Sequence, residues 1–79
     1  MSREIAEFQA AIGQRIKSVR LSAGLSQPEF AEQVGVSQPT VSRVEAGSRM
    51  PDAHLLKMIA EKFGYDPTWL LLGKVGKDC

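Results

Sequence analysis

The stretch from Gln27 to Gly47 constrains the fold more than any other part of the chain. Ser26, Pro28 and Glu29 announce a helix: a hydroxyl cap, a proline in the first turn where its missing N–H costs nothing, and the returning carboxylate of a capping box. Phe30, Ala31 and Val34 give this helix an inward face, and Gly35 stops it. Ser37, Gln38 and Pro39 then repeat the cap and the proline, opening another helix that ends at Gly47. Only Gly35, Val36 and Ser37 separate the two helices, so they must cross steeply. A steep crossing needs a small residue where the backbones approach, a residue that accepts positive φ, and apolar anchors on both sides. Ala31, Gly35, Val36 and Val41 supply these in order.

The rest of the chain also reads at helical spacing, and nothing alternates long enough to suggest a strand, so the class is all-α. Ile5, Phe8, Ile12, Ile16 and Val19 form one apolar stripe on a first helix, from Ser2 or Arg3 to Ala23, with Gly24 placed to stop it. Gly13 inside the stripe leaves room for a bend and a separate short helix ahead of Ile12. After a loop through Ser48, Arg49, Met50 and Pro51, Asp52 caps a fourth helix carrying Leu55, Leu56, Ile59 and Phe63 up to Gly64. Asp66 and Pro67 start a short fifth helix through Trp69, Leu70 and Leu71, closed by Gly73. The organisation expected is an N-terminal helical extension over 1–11, one compact five-helix domain over 12–73, and a frayed tail over 74–79.

A chain of 79 residues leaves room for one small core, and its 43% hydrophobic and 24% charged content fits a soluble globular domain rather than disorder. The sole cysteine, Cys79, excludes an intrachain disulfide and suits a reducing compartment, so a cytoplasmic location is expected. No sustained apolar run follows Arg3, Glu4 and Glu7, and the run Trp69 to Leu72 is too short to cross a bilayer; neither a secretory signal nor a membrane partner is expected. A net charge of +1 leaves a nucleic-acid partner open, because basic groups can gather on one face.

On the third helix Val41 and Val44 point inward, leaving Gln38, Pro39, Ser42 and Arg43 on the opposite side. Gln can pair bidentately with adenine and Arg with guanine in the major groove of duplex DNA. Pro39 offers only shape and apolar contact, and Thr40, at the margin, suits a phosphate or a thymine methyl. The alternative for this face is a solvated polar surface on a helical hairpin that has no ligand. Ser26 and Gln27, at a helix N-terminus, suit a phosphate oxygen. Ser48 and Arg49 are further backbone candidates, with a solvated loop cation as the alternative for Arg49.

Glu45 follows Val41 by four and leans inward, and a buried carboxylate needs a partner. Arg20 follows Ile16 by four on the inner stripe of the first helix. The spacing therefore predicts an Arg20–Glu45 ion pair tying the first helix to the end of the third.

From Ile12 to Gly73 the residues resemble the phage-repressor and Cro type of helix-turn-helix regulator, the XRE family. The matching pieces are Ile12-Gly13-Gln14-Arg15-Ile16 leading to Arg20, Gly24-Leu25-Ser26-Gln27, Phe30-Ala31, Gly35-Val36-Ser37, Val41-Ser42, Glu45-Ala46-Gly47, Pro51, Leu55, Ile59-Ala60 and Trp69-Leu70-Leu71 before Gly73. The resemblance implies a lambda-repressor-like five-helix bundle with its third helix in the major groove. It also implies a homodimer on a pseudo-palindromic operator, with half-sites about one helical turn apart. By position, Gln27 is similar to the family's phosphate-binding glutamine, Gln38 to its adenine-reading glutamine, and Arg20 with Glu45 to its interhelical ion pair. Pro39 departs from the usual polar residue, so no base preference transfers there. For dimerisation the resemblance implies the fifth helix and the loop before the fourth. Leu72 cannot face the same side as both Trp69 and Leu70, so Trp69 and Leu72 are the candidates to meet a partner subunit, the alternative being a helix end packed entirely on its own core.

These readings make the chain a sequence-specific DNA-binding regulator, most naturally a repressor. An antitoxin or a restriction-modification controller would share the binding chemistry, and a helical protein-interaction module is the alternative without DNA. No enzyme is expected: His54 is the single histidine and has no second ligand or nucleophile beside it, so neither a metal site nor a catalytic pair can be built. No cofactor or small-molecule ligand is expected either.

Overall fold

The computed structural model describes residues 2–74, which form five helices: α1 Arg3–Ser22, α2 Gln27–Val34, α3 Gln38–Glu45, α4 Ala53–Phe63 and α5 Pro67–Leu72. The described residues contain no strand, as expected of an all-α chain. Four helices start where the sequence announces it, at Ser26, Ser37, Asp52 and Asp66, and α1 starts at Ser2; all five residues accept a backbone N–H with their side chains. At Ser26 the capping box is complete, with Ser26 N–H donating to Glu29 Oε1 at 2.8 Å and Glu29 N–H to Ser26 Oγ at 3.2 Å. That backbone bond, then the Ser26 hydroxyl, hold the Glu29 carboxyl below its ordinary pKa. Gly35 takes a left-handed φ of 76° between α2 and α3, the conformation that lets the chain reverse in three residues.

The core lies where the five helices converge, with Ile12, Ile16, Val19, Phe30, Val34, Val41, Val44, Leu55, Ile59 and Leu70 all buried. Phe30 of α2 stacks on Phe63 of α4 with ring centroids 5.4 Å apart, binding the two across the core. α1 packs on α3 and α5, and α2 packs on α3 and α4. No helix among the described residues is long and apolar enough to cross a membrane. The frayed tail expected from Lys74 onward falls, from residue 75, outside the described residues.

The structure corrects the reading of α1 in two places. Ile5 and Phe8, expected on the inner stripe, are 47% and 38% exposed. The neighbouring inward position belongs to Gln9, whose Nε2 donates to the Gly47 carbonyl at 3.0 Å. α1 leaves the bundle at that level, so among the described residues no element covers its first turns fully. Gly13 makes no bend either, since α1 runs unbroken through it. It is buried where α1 crosses α3, and a Cβ there would run into the Val44 carbonyl oxygen and stand 3.2 Å from that of Glu45. Glycine at this position sets how closely α3 can lie on α1.

Candidate nucleic-acid interface

α3 is held at its inner face and left open at its outer one. Val41 and Val44 are buried, while Gln38, Pro39 and Arg43 are exposed and Ser42 half-buried, so the four groove-facing candidates share the solvent side. Thr40, half-buried at the margin, has its hydroxyl 2.9 Å from Ser37 Oγ. From Ser37 to Pro51 the only acidic residue is Glu45, and it is 5% exposed. The surface this segment offers is therefore basic, through Arg43 and the exposed Arg49, although the whole chain is nearly neutral.

Behind that surface lies a chain of side-chain hydrogen bonds. Arg20 meets Glu45 in a fork, Nε to Oε2 at 2.7 Å and Nη2 to Oε1 at 3.0 Å, with both side chains nearly buried. Arg20 Nη1 also donates to the Leu25 carbonyl at 2.9 Å, anchoring the loop that leads into α2. The hydrogen bonds to Glu45 outweigh burial, which acts the other way, and together with the attraction of opposite charge they raise the Arg20 pKa above its ordinary value. Gln27 Nε2 donates to the same Glu45 Oε1 at 3.0 Å, and Gln38 Nε2 donates to Gln27 Oε1 at 2.9 Å. Every buried side-chain nitrogen and oxygen among the described residues has a partner.

These bonds leave only part of each side chain free for a ligand. Gln38 spends one N–H on Gln27 and keeps its Oε1 and other N–H, the edge that complements adenine. Gln27 keeps its second Nε2–H, able to meet a phosphate oxygen. The Ser26 hydroxyl accepts the Glu29 N–H and retains its own proton to donate. Ser48 differs, because its hydroxyl donates to the Arg43 carbonyl at 3.1 Å and its single proton is committed to closing α3.

At the far end of the bundle, Arg15 Nη1 donates to the Leu70 and Leu71 carbonyls at 2.9 and 3.3 Å, capping the C-terminus of α5 from α1. Leu70 is buried, Trp69 is half-buried and stacked on Tyr65, and Leu72 stands 59% exposed. Trp69 thus leans on the core and Tyr65 of this chain, while Leu72 and the partly exposed Leu71 face outward. His54 is exposed in the first turn of α4.

Sequence reasoning missed the buried Gln9, the α5 cap from Arg15 and the link between the two glutamines. Arg15 carried a usable signal, since a cation on the first helix can satisfy the carbonyls left open where α5 ends at Gly73. The glutamine link had none, as it depends on the angle between α2 and α3.

A helix-turn-helix family model matches residues 16–70. Among curated proteins, the antitoxin PezA of Streptococcus pneumoniae is 42% identical over 52 residues, 66% of this chain and 33% of that protein. A helix-turn-helix-type transcriptional regulator of Mycobacterium tuberculosis is 45% identical over 49 residues, 62% of this chain and 35% of its own length. The propionyl-CoA carboxylase regulator of Cereibacter sphaeroides is 34% identical over 73% of this chain and 13% of its own. This chain therefore spans about a third or less of these relatives. Among solved structures, Bacillus thuringiensis PlcR, crystallised with the peptide PapR7 and DNA, superposes with a TM-score of 0.71 at 29% identity, covering 85% of this chain and 24% of PlcR. With its five helices, its glycine-turned α2–α3 pair and these relatives, the chain belongs to the XRE-type helix-turn-helix family and carries the fold of DNA-binding transcriptional regulators.

Proposed function

We propose that this chain is a sequence-specific duplex-DNA-binding regulator, a repressor that occupies a pseudo-palindromic operator as a homodimer. The carrying observation is the free edge of Gln38, held in place from behind and followed five residues later by the exposed Arg43 on the same helix. Gln38 reads adenine, Arg43 reads guanine at its two major-groove acceptors, and Ser42 and Pro39 shape the contact between them. Gln27, Ser26, Thr40 and Arg49 set the register on phosphates. Ser48 acts through the end of α3, which it caps. Residues 12–73 form the DNA-binding unit and residues 1–11 extend it. Dimerisation uses α5, where Leu72 and Leu71 are exposed beside an apolar groove lined by Leu56, Ala60 and Pro67.

The likeness to PezA favours a second reading, an antitoxin with the same duplex chemistry and a toxin partner. Fluorescence anisotropy with a duplex pool at rising salt tests the shared reading. Affinity should fall on a log–log plot with a slope of about −0.9 for each phosphate contacted. Binding that ignores salt, or no binding at low salt, would refute it.

A further inference from the structure

The buried ion pair does more than join two helices. A carboxylate can only accept hydrogen bonds, so Glu45, already held by Arg20, obliges Gln27 to turn its NH2 inward. That leaves Gln27 Oε1 facing Gln38, and an oxygen there obliges Gln38 to turn its own NH2 toward it. Either amide alone could flip by half a turn at little cost. Joined to a fixed carboxylate, neither can flip without setting oxygen against oxygen or N–H against N–H. We propose that Glu45 is a positioning residue that sets the donor and acceptor polarity of Gln38 through Gln27, and thereby the base Gln38 accepts. This rests on the base-reading role proposed for Gln38.

The chemistry of the bases gives that polarity a consequence. Adenine shows a donor beside an acceptor, N6–H and N7, whereas guanine shows two acceptors, O6 and N7. A freely rotating amide can turn its NH2 toward guanine. An amide whose oxygen is locked on one side meets guanine O6 with that oxygen and is repelled. The lock thus works by excluding the wrong base as well as by preparing for the right one, and it spares Gln38 part of the ordering it would otherwise undergo on binding.

Two substitutions that both damage the ion pair separate polarity from mere packing. Arg20→Lys keeps the Glu45 carboxylate, and Glu45→Gln replaces it with a group that can donate or accept. Side-chain amide signals of Gln27 and Gln38 in nitrogen-15 NMR spectra of the free chain, alongside melting curves, give a readout that does not involve DNA. In the wild type and in Arg20→Lys, one proton of each NH2 should be shifted and protected. In Glu45→Gln, the Gln38 pair should collapse toward free glutamine although residue 45 does not touch it. Gln27→Met, which spares the ion pair and hence the fold, should produce the same collapse. Selection from a random duplex pool then reads the bases, with an adenine preference of order tenfold in the wild type falling to about twofold in Glu45→Gln. The inference is overturned if Gln38 keeps its signature in Glu45→Gln or in Gln27→Met, if Arg20→Lys erases it equally, or if the signature is lost while adenine preference stands. A wild-type chain that selects no sequence but shows the amide pattern would instead overturn the base-reading role and leave the amide lock in place.

Discussion

Gly13→Ala sets two well-measured effects against each other, and the structure decides between them. Replacing a glycine inside a helix by alanine ordinarily stabilises by about 1 kcal/mol, because alanine has less backbone freedom to lose. At Gly13 the new methyl would run into the Val44 carbonyl oxygen and lie 3.2 Å from that of Glu45. Both obstacles are backbone, so no side chain can rotate away. The last turn of α3 has to retreat by about 1 Å to restore ordinary contact. Overpacking of this kind costs roughly 1–3 kcal/mol, and a backbone obstacle belongs at the upper end. Subtracting the gain in helix propensity leaves a loss of about 2 kcal/mol. For a domain of this size that lowers Tm by about 8–16 °C, followed by far-UV circular dichroism. Gly64→Ala supplies the comparison: its φ is 75° and a Cβ there meets nothing, so only left-handed strain of roughly 1–2 kcal/mol is incurred. A Gly13→Ala chain that melts at or above the wild-type temperature would show that α1 and α3 do not approach as described.

Arg20→Ala strands the Glu45 carboxylate in the interior and should cost about 3–5 kcal/mol in thermal unfolding; an unchanged Tm would refute the pair's burial. Arg15→Ala uncaps α5 and should cost about 1–2 kcal/mol, with faster amide hydrogen exchange confined to α5; uniform acceleration along the chain would contradict a local cap. Because folding lowers the Glu29 pKa, its contribution is full above the unfolded value and is lost as pH falls through the folded one. Wild type should therefore lose stability more steeply on acidification than Glu29→Gln, which caps without titrating, and parallel curves would refute this.

The local parts of the fold were legible because their signals are local. Ser26 with Glu29, Ser37 with Pro39, and Asp52 announce helix starts by chemistry confined to one turn, and the structure uses each as a cap. The Arg20–Glu45 contact was legible because periodicity on both helices pointed two charged residues inward. Periodicity failed at Ile5 and Phe8, which continue the stripe past the point where the described residues bury it. A stripe records which residues share a side, but not how far the neighbouring helix extends. Gly13 reads as a weak point in a helix until the position of α3 is known, and then becomes the residue that permits their approach. The glutamine link escaped for the same reason, since it exists only at the angle the Gly35 turn sets between α2 and α3.

Fold, basic surface and hydrogen-bond chain all lead to one claim, that side chains of α3 distinguish bases while the flanking loop only holds the backbone. Selecting duplexes from a random pool with wild type, Arg43→Ala and Arg49→Ala tests it most directly. The account predicts a symmetric motif for wild type, loss of preference at one base pair per half-site for Arg43→Ala, and an unaltered motif with weaker affinity for Arg49→Ala. Equal weakening at every position by Arg43→Ala, with the motif intact, would contradict it.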